Sequence, residues 1–158
     1  MQNRIEILTP KKLVGKYLTM SFLNNRTGEL WQSFMPHRKK ITNVVNSNLF
    51  SLQVYPKGFD FGLATEFEKW ALAEVTNFEE IPENMEAFNL NGGLYAVFLY
   101  KGSSLDFQKP FQYIFGTWLP NSGYELDDRP HFELLGEKYK NNDPNSEEEI
   151  WIPIKVRA

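Results

Sequence analysis

Apolar and polar positions alternate along several stretches of this chain, and two stretches between them shift to helical spacing. From Lys12 to Phe22, Leu13, Gly15, Tyr17 and Thr19 alternate with Val14, Lys16 and Leu18, which predicts a strand. Asn24-Asn25 supplies turn chemistry. Thr27 is placed to cap a helix marked by Leu30, Phe34 and Ile41, with Trp31 and Met35 beside them. Pro36 kinks or divides that helix. Leu49 to Tyr55 reads as a strand stopped by Pro56-Lys57-Gly58, and Phe67 to Val75 as a second strand. After a connector from Asn77 to Asn84 comes an extended stretch from Met85 to Leu90, then a turn or bulge at Asn91-Gly92-Gly93. Leu94 to Tyr100 is a strand broken by Lys101-Gly102-Ser103. Asp106 to Leu119 is a helix with Phe107, Phe111, Ile114, Phe115 and Trp118 in one stripe and Pro110 in its first turn. His131 to Gly136 is a strand and Asn141 to Ser146 a turn-rich loop. Glu148 to Val156 closes the chain as a strand whose Pro153 implies an edge or a bulge.

The pattern repeats. With the chain shifted by 81 residues, Leu13 falls on Leu94, Tyr17 on Phe98, Phe34 on Phe115, Leu52 on Glu133, Val54 on Leu135, Trp70 on Trp151 and Val75 on Val156. Strand, helix, strand and strand recur in one order, over about 10–76 and 89–157. One such unit cannot bury its sheet face, but two together can. The expectation is an α+β domain over 1–158: a duplicated βαββ unit with pseudo-two-fold symmetry, a mostly antiparallel sheet and two main helices on one face. The seam between the helices is then a natural ligand cleft.

Composition adds a bias. The 158 residues include 13 Phe, 7 Tyr and 4 Trp, which suits a large core, an aromatic-lined pocket, or both. The chain has no cysteine, so disulfides, thiol nucleophiles and thiolate metal sites are excluded. The N-terminus has no charged start followed by an apolar stretch, and no run approaches the roughly 18 apolar residues of a membrane span, so the expected location is the cytoplasm. The net charge of −3 argues against a nucleic-acid binder. The one basic run, His37 to Lys40, falls at a predicted helix end, where cations complement the macrodipole.

Catalytic and metal motifs are missing. His37 and His131 are far apart, and no zinc, calcium-loop, Walker or nucleophile-elbow pattern occurs, so no metal or cofactor is expected. Glu133 is the unusual residue, a carboxylate in mid-strand. It shares a face with His131 and Leu135, while Phe132 and Leu134 take the other. A buried carboxylate is costly unless paired, and a cationic ligand or a proton-transfer role would account for one beside a cavity. An edge glutamate reaching solvent, or one bonded to a nearby Tyr or to Arg129, is the more ordinary account, since Glu is seldom fully buried. Trp151 and Glu149 share a face of the last strand, and Trp70 is the repeat partner of Trp151. Trp31, Phe34 and Phe111 are positioned to line the seam, or simply to fill the core. Around a lone acid such a set makes a cage for a flat, apolar, cationic molecule.

Four segments carry a resemblance: Gly92 to Phe98, Thr117 to Glu125, Arg129 to Glu133, and Glu149 to Ile154. As an ordered set they resemble the GyrI-like effector-binding domain, a family that includes the ligand-sensing halves of bacterial multidrug-responsive and AraC-type activators and also stand-alone proteins. The resemblance spreads over the whole chain and is strongest from about Asn89 onward. It implies a duplicated βαββ fold and a cleft for hydrophobic, often cationic aromatic molecules. It also implies a glutamate at the cleft floor, here Glu133, and walls drawn from Trp151, Trp70, Trp31, Phe34 and Phe111. Some stand-alone relatives are hydrolases of strained electrophiles that use the same acid, and others inhibit a partner protein such as DNA gyrase. The chain begins at the first strand of the unit and ends at the last, with no helix-turn-helix, so no direct DNA contact is expected. The leading expectation is therefore a stand-alone small-molecule-binding protein with a link to transcription regulation. A hydrolase with Glu133 as general base and a protein-interaction module remain as alternatives.

Overall fold

A computed structural model describes residues 1–140 and 142–158. Its elements are β1 (Asn3–Leu8), β2 (Lys11–Met20), α1 (Thr27–Phe34), β3 (Val44–Val54), β4 (Phe67–Val75), β5 (Glu86–Leu90) and β6 (Gly93–Lys101). There follow α2 (Gln108–Tyr113), α3 (Leu119–Asn121), β7 (Tyr124–Leu126), β8 (His131–Leu135) and β9 (Glu147–Val156). Among the described residues these strands form one antiparallel sheet in the order β1-β6-β9-β8-β3-β4-β2-β5, with β7 also on β9.

That order reads the same from both ends if β1 is matched to β5, β2 to β6, β3 to β8 and β4 to β9. Each edge strand is exchanged: β1 pairs with β6 of the second half, and β5 with β2 of the first. The two connections cross closely, and a Cβ on Gly92 would strike the Leu8 carbonyl. The ladders correct the uniform shift of 81. Trp70 pairs with Tyr17 and Leu52, and Trp151 pairs with Val97 and Phe132. If Trp70 matches Trp151, Tyr17 therefore matches Val97 and Leu52 matches Phe132, each 80 residues on. Both tryptophans donate Nε1–H to the glutamate two residues earlier, Glu68 and Glu149, at 3.1 Å, which supports matching them. Leu52 and Phe132 are also cross-strand partners, so the pseudo-two-fold axis runs between them. The counterpart of Glu133 is Gln53, not Leu52.

Among the described residues, three apolar clusters pack on the sheet. Leu13, Phe50, Leu52, Trp70, Tyr95, Phe132 and Trp151 pack on the helix-free face. Leu30 and Phe34 of α1 cover Val14, Leu49, Ala71 and Ala73, while Ile114, Phe111 and Phe115 cover Ala96, Phe98, Ile150 and Ile152. Burying the apolar side of each alternating strand drives this arrangement, at about 25 cal/mol per Å² of apolar surface.

Local differences from expectation have local causes. The opening decapeptide forms β1, an edge strand held by its ladder rather than by burial, with Ile5 and Ile7 exposed. β3 begins at Val44, and its register slips between Val44 and Leu49. Thr27 is the first helical residue rather than the cap, and its N–H donates to Asn25 Oδ1 at 3.0 Å. Pro36 divides the first helix as expected, and a 3-10 turn follows over Met35–Lys40. The second helix is interrupted by a π-turn over Ile114–Trp118. Pro153 lies in an interior strand, at the gap where β8 pairing stops at Trp151 and β7 pairing starts at Ile154. Of the loop expected from Asn141 to Ser146, Asn141 lies outside the described residues.

Candidate functional site

Beside the pseudo-axis, the helix-bearing face turns polar. Ser51 and Gln53 of β3 stand opposite Glu133 and His131 of β8, and all four are buried. Lys69 of β4 lies beside Gln53, and Glu148 of β9 is buried on the same face. Glu133 is only 4% exposed. Its Oε1 accepts a hydrogen bond from Gln53 Nε2 at 3.0 Å and lies 3.5 Å from Lys69 Nζ. Those two partners hold an ion in a place where an unpaired one would cost several kcal/mol. Arg129, a partner considered from sequence, instead binds Asp127 at 2.8 Å and stacks over Tyr95.

The surrounding groups respond to burial and to the charge on Glu133. Burial, and then the nearby Glu133 carboxylate, push the Glu148 carboxyl up to about 8 against the pull of Lys69. Burial alone brings the His131 imidazole down to about 3, so it is neutral. Burial and then Glu133 raise the Tyr55 phenol; burial, Glu148 and Glu133 raise that of Tyr139. Among the described residues no three His, Asp or Glu side chains converge as a metal site.

Aromatic rings form the ceiling over this floor. Tyr55 stacks on Phe59 at 4.6 Å and meets His131 edge-on at 4.9 Å. Phe61 bridges to the second helix, 6.0 Å from Phe115 and 6.3 Å from His131. Phe67 closes the cluster, 5.2 Å from Tyr55. The loop bearing Phe59 and Phe61 is stapled by Asp60 Oδ1, which accepts from Gly62 N and Thr65 Oγ1, each at 2.8 Å. The sequence marks the preceding Pro56-Lys57-Gly58 as the stop of a strand and assigns Phe59 and Phe61 no role. The loop's signal was two phenylalanines in a turn-rich stretch with no periodicity to announce them.

The expected site residues divide between the two faces. Phe111 reaches the cluster through Phe115, 6.3 Å away and nearly parallel. Phe34 is fully buried under α1, with Trp31 packed edge-on against it. Trp70, Trp151 and Glu149 lie across the sheet from Glu133: Trp151 pairs with Phe132, and successive strand residues face opposite ways. On that far face Trp151, Phe50, Phe132 and Leu134 floor a separate groove of about 330 Å³. Its rim carboxylates are engaged, Glu74 with Lys11 at 3.5 Å and Glu6 with Arg4 at 3.2 Å.

Residues 1–155 match the GyrI-like small-molecule-binding domain. The chain belongs to the GyrI-like family. It is 30% identical to the transcriptional regulator BrlR of Pseudomonas aeruginosa over 147 residues, which is 90% of this chain and 51% of BrlR. The chain thus spans about half the length of that relative. The fold is shared with SAV2435 bound to tetraphenylphosphonium (TM-score 0.72, 16% identity, 98% of this chain and 94% of that one). It is shared also with the C-terminal domain of EcmrR (TM-score 0.76, 13% identity, 99% and 98%). This GyrI-like domain is accordingly a small-molecule-binding domain, as the resemblance implied. Among its described residues no helix is long and apolar enough to cross a membrane.

Proposed function

We propose that this GyrI-like domain, over residues 1–158, is an effector-binding unit that takes amphipathic aromatic molecules, organic cations among them, at the inter-helix seam. Glu133 at the base of an aromatic cluster is the observation that carries the reading. Rings supply stacking area and an electron-rich face, and the acid supplies directional polarity in a low-dielectric setting. The tetraphenylphosphonium on SAV2435 and the regulator BrlR support this ligand class and a link to transcription control. We place the domain in the cytoplasm and, given its net charge of −3, give it no direct DNA contact. Here the ligand displaces the Phe59–Phe61 loop, while Trp70, Trp151 and Glu149 brace the far face. The test is titration with a neutral dye, Nile red, and a cationic one, rhodamine 6G. At least one should bind saturably at micromolar concentration, weakened tenfold or more by Phe115→Ala and changed less than twofold by Trp151→Phe. The reverse ranking of those variants would move the site to the far-face groove.

A second reading rests on Glu148. Two neighbouring carboxyls with different ionisation are the usual arrangement for acid and base roles. Glu133 would take a proton from water attacking a strained electrophile. Its Oε1 is already engaged by Lys69 and Gln53 rather than free to meet a water, which favours binding over turnover. Glu133-dependent hydrolysis of a strained-ring compound would reverse that preference.

A further inference from the structure

Lys69 breaks the symmetry of the site in a way that complements Glu133. Gln53 pairs with Lys69 across β3 and β4, and Glu133 pairs with Ile150 across β8 and β9. Lys69 therefore stands where the second copy has Ile150, and Glu133 stands where the first has Gln53. One half contributes a buried ammonium and the other a buried carboxylate, 3.5 Å apart across the axis. Lysine is almost never buried unless paired, and an isoleucine-like side chain is what the matching position holds. With the Glu148 carboxyl protonated near neutral pH, the floor carries one positive and one negative charge. The charge of an organic cation entering above this floor would duplicate one already present.

We propose that Lys69 is the specificity-determining residue of the seam: a tethered cation that engages Glu133, so that neutral aromatic ligands are preferred over organic cations of the same shape. The inference rests on the binding reading above. A neutral ligand leaves the ion pair intact and can add a hydrogen-bond acceptor facing the ammonium. A cation must displace the ammonium from Glu133 or bind beside it, and like charges repel strongly where solvent is excluded.

Calorimetric titration of the full chain with triphenylphosphine oxide, neutral with one strong acceptor, and with tetraphenylphosphonium tests this. The wild type should bind the oxide at least threefold more tightly. Lys69→Met should shift the affinity ratio at least tenfold toward the cation, and Lys69→Arg should keep the wild-type ratio within threefold. Should Lys69→Met fail to fold, the comparison is made between Glu133→Gln and Glu133→Gln/Lys69→Met. There removal of the ammonium leaves no buried unpaired carboxylate, and the same tenfold shift is expected. A ratio that stays within threefold when Lys69 is removed, with binding intact, overturns this proposal alone. Absence of binding by either probe to any folded variant overturns the binding reading together with it.

Discussion

Gln53 and Glu133 are equivalent residues of the two copies, and they bond to each other: Gln53 Nε2 donates to Glu133 Oε1 at 3.0 Å beside the axis that relates them. The two side chains differ by one amide nitrogen in place of an oxygen. That exchange turns a symmetric pair of like groups into a complementary donor and acceptor. Two glutamates here would repel, and two glutamines would leave Lys69 without an ion to pair with. The duplication thus supplies the shape of the site, and one change of side-chain chemistry supplies its polarity.

Gln53→Leu should therefore destabilise the domain without altering its outline. It leaves Glu133 Oε1 with Lys69 alone, and losing one partner of a buried charged group costs about 1–3 kcal/mol. Urea unfolding at pH 7 should show a lower midpoint at an unchanged slope. Gln53→Glu should cost more than Gln53→Leu at the same pH, because it sets a second carboxylate against Glu133 in place of a donor. A loss no larger than that of Gln53→Leu would mean that the second carboxylate escapes to solvent.

Much of this fold was legible in the sequence, and the misplaced partners of the two copies trace to strand register. Alternation placed β2, β4, β6, β8 and β9 correctly because each buries at least one face. The shift of 81 held for β4 and β9, but the ladders give 80 elsewhere, since the loop after β8 contributes one extra residue. On a strand a one-residue slip exchanges the faces, so the shift of 81 sets Leu52, on the helix-free side, against an acid on the other side. Trp151 falls apart from Glu133 for a related reason: alternation says which residues of one strand share a face, but not which faces of separate strands coincide. The ceiling of Phe59 and Phe61 lay beyond reach, because a loop has no period.

The buried Glu148 and His131 should give stability an asymmetric pH profile. Glu148 has its folded value raised from 4.5 to about 8, so between those limits the native state binds more protons than the unfolded chain. Its contribution is complete below pH 4.5 and is lost as pH rises to about 8. His131 has its folded value lowered from 6.5 to about 3, so its contribution is present above pH 6.5 and is lost as pH falls toward 3. The two slopes oppose each other at mildly acidic pH. Above pH 6.5 only that of Glu148 remains, with a limit of about 1.4 kcal/mol per pH unit. Urea midpoints should fall from pH 6.5 to pH 8, and Glu148→Gln should flatten that fall. A midpoint that rises across this range in the wild type would contradict the assignment.

Gly15→Ala tests the central ladder. A Cβ at Gly15 would run into the carbonyl of Ala71, on the strand paired with it, and backbone cannot swing aside as a side-chain tip can. The cost should be about 3 kcal/mol, at the upper end of ordinary overpacking. That corresponds to a thermal midpoint roughly 6–12 °C lower. Gly28→Ala, where nothing lies within 4 Å of the added carbon, is the matched control and should change little.

Phe61 is the residue whose removal should open the seam. Its backbone lies in the left-handed region at φ 57°, which a bulky side chain adopts at a cost of about 1–2 kcal/mol. The residue is 42% exposed, yet its ring touches Phe59 at 4.9 Å and leans toward Phe115 and His131, so what holds it is the aromatic cluster itself. An entering aromatic ligand replaces those ring contacts with its own, and the released loop sheds its backbone strain. Phe61→Gly removes the ring and the strain together. The two losses offset, and stability should move by no more than about 1 kcal/mol. Affinity for Nile red should rise three- to tenfold, and stopped-flow mixing should show a faster association rate, because the ligand no longer waits for the loop. If affinity and rate both match the wild type while the protein stays folded, the ligand does not enter beneath this loop.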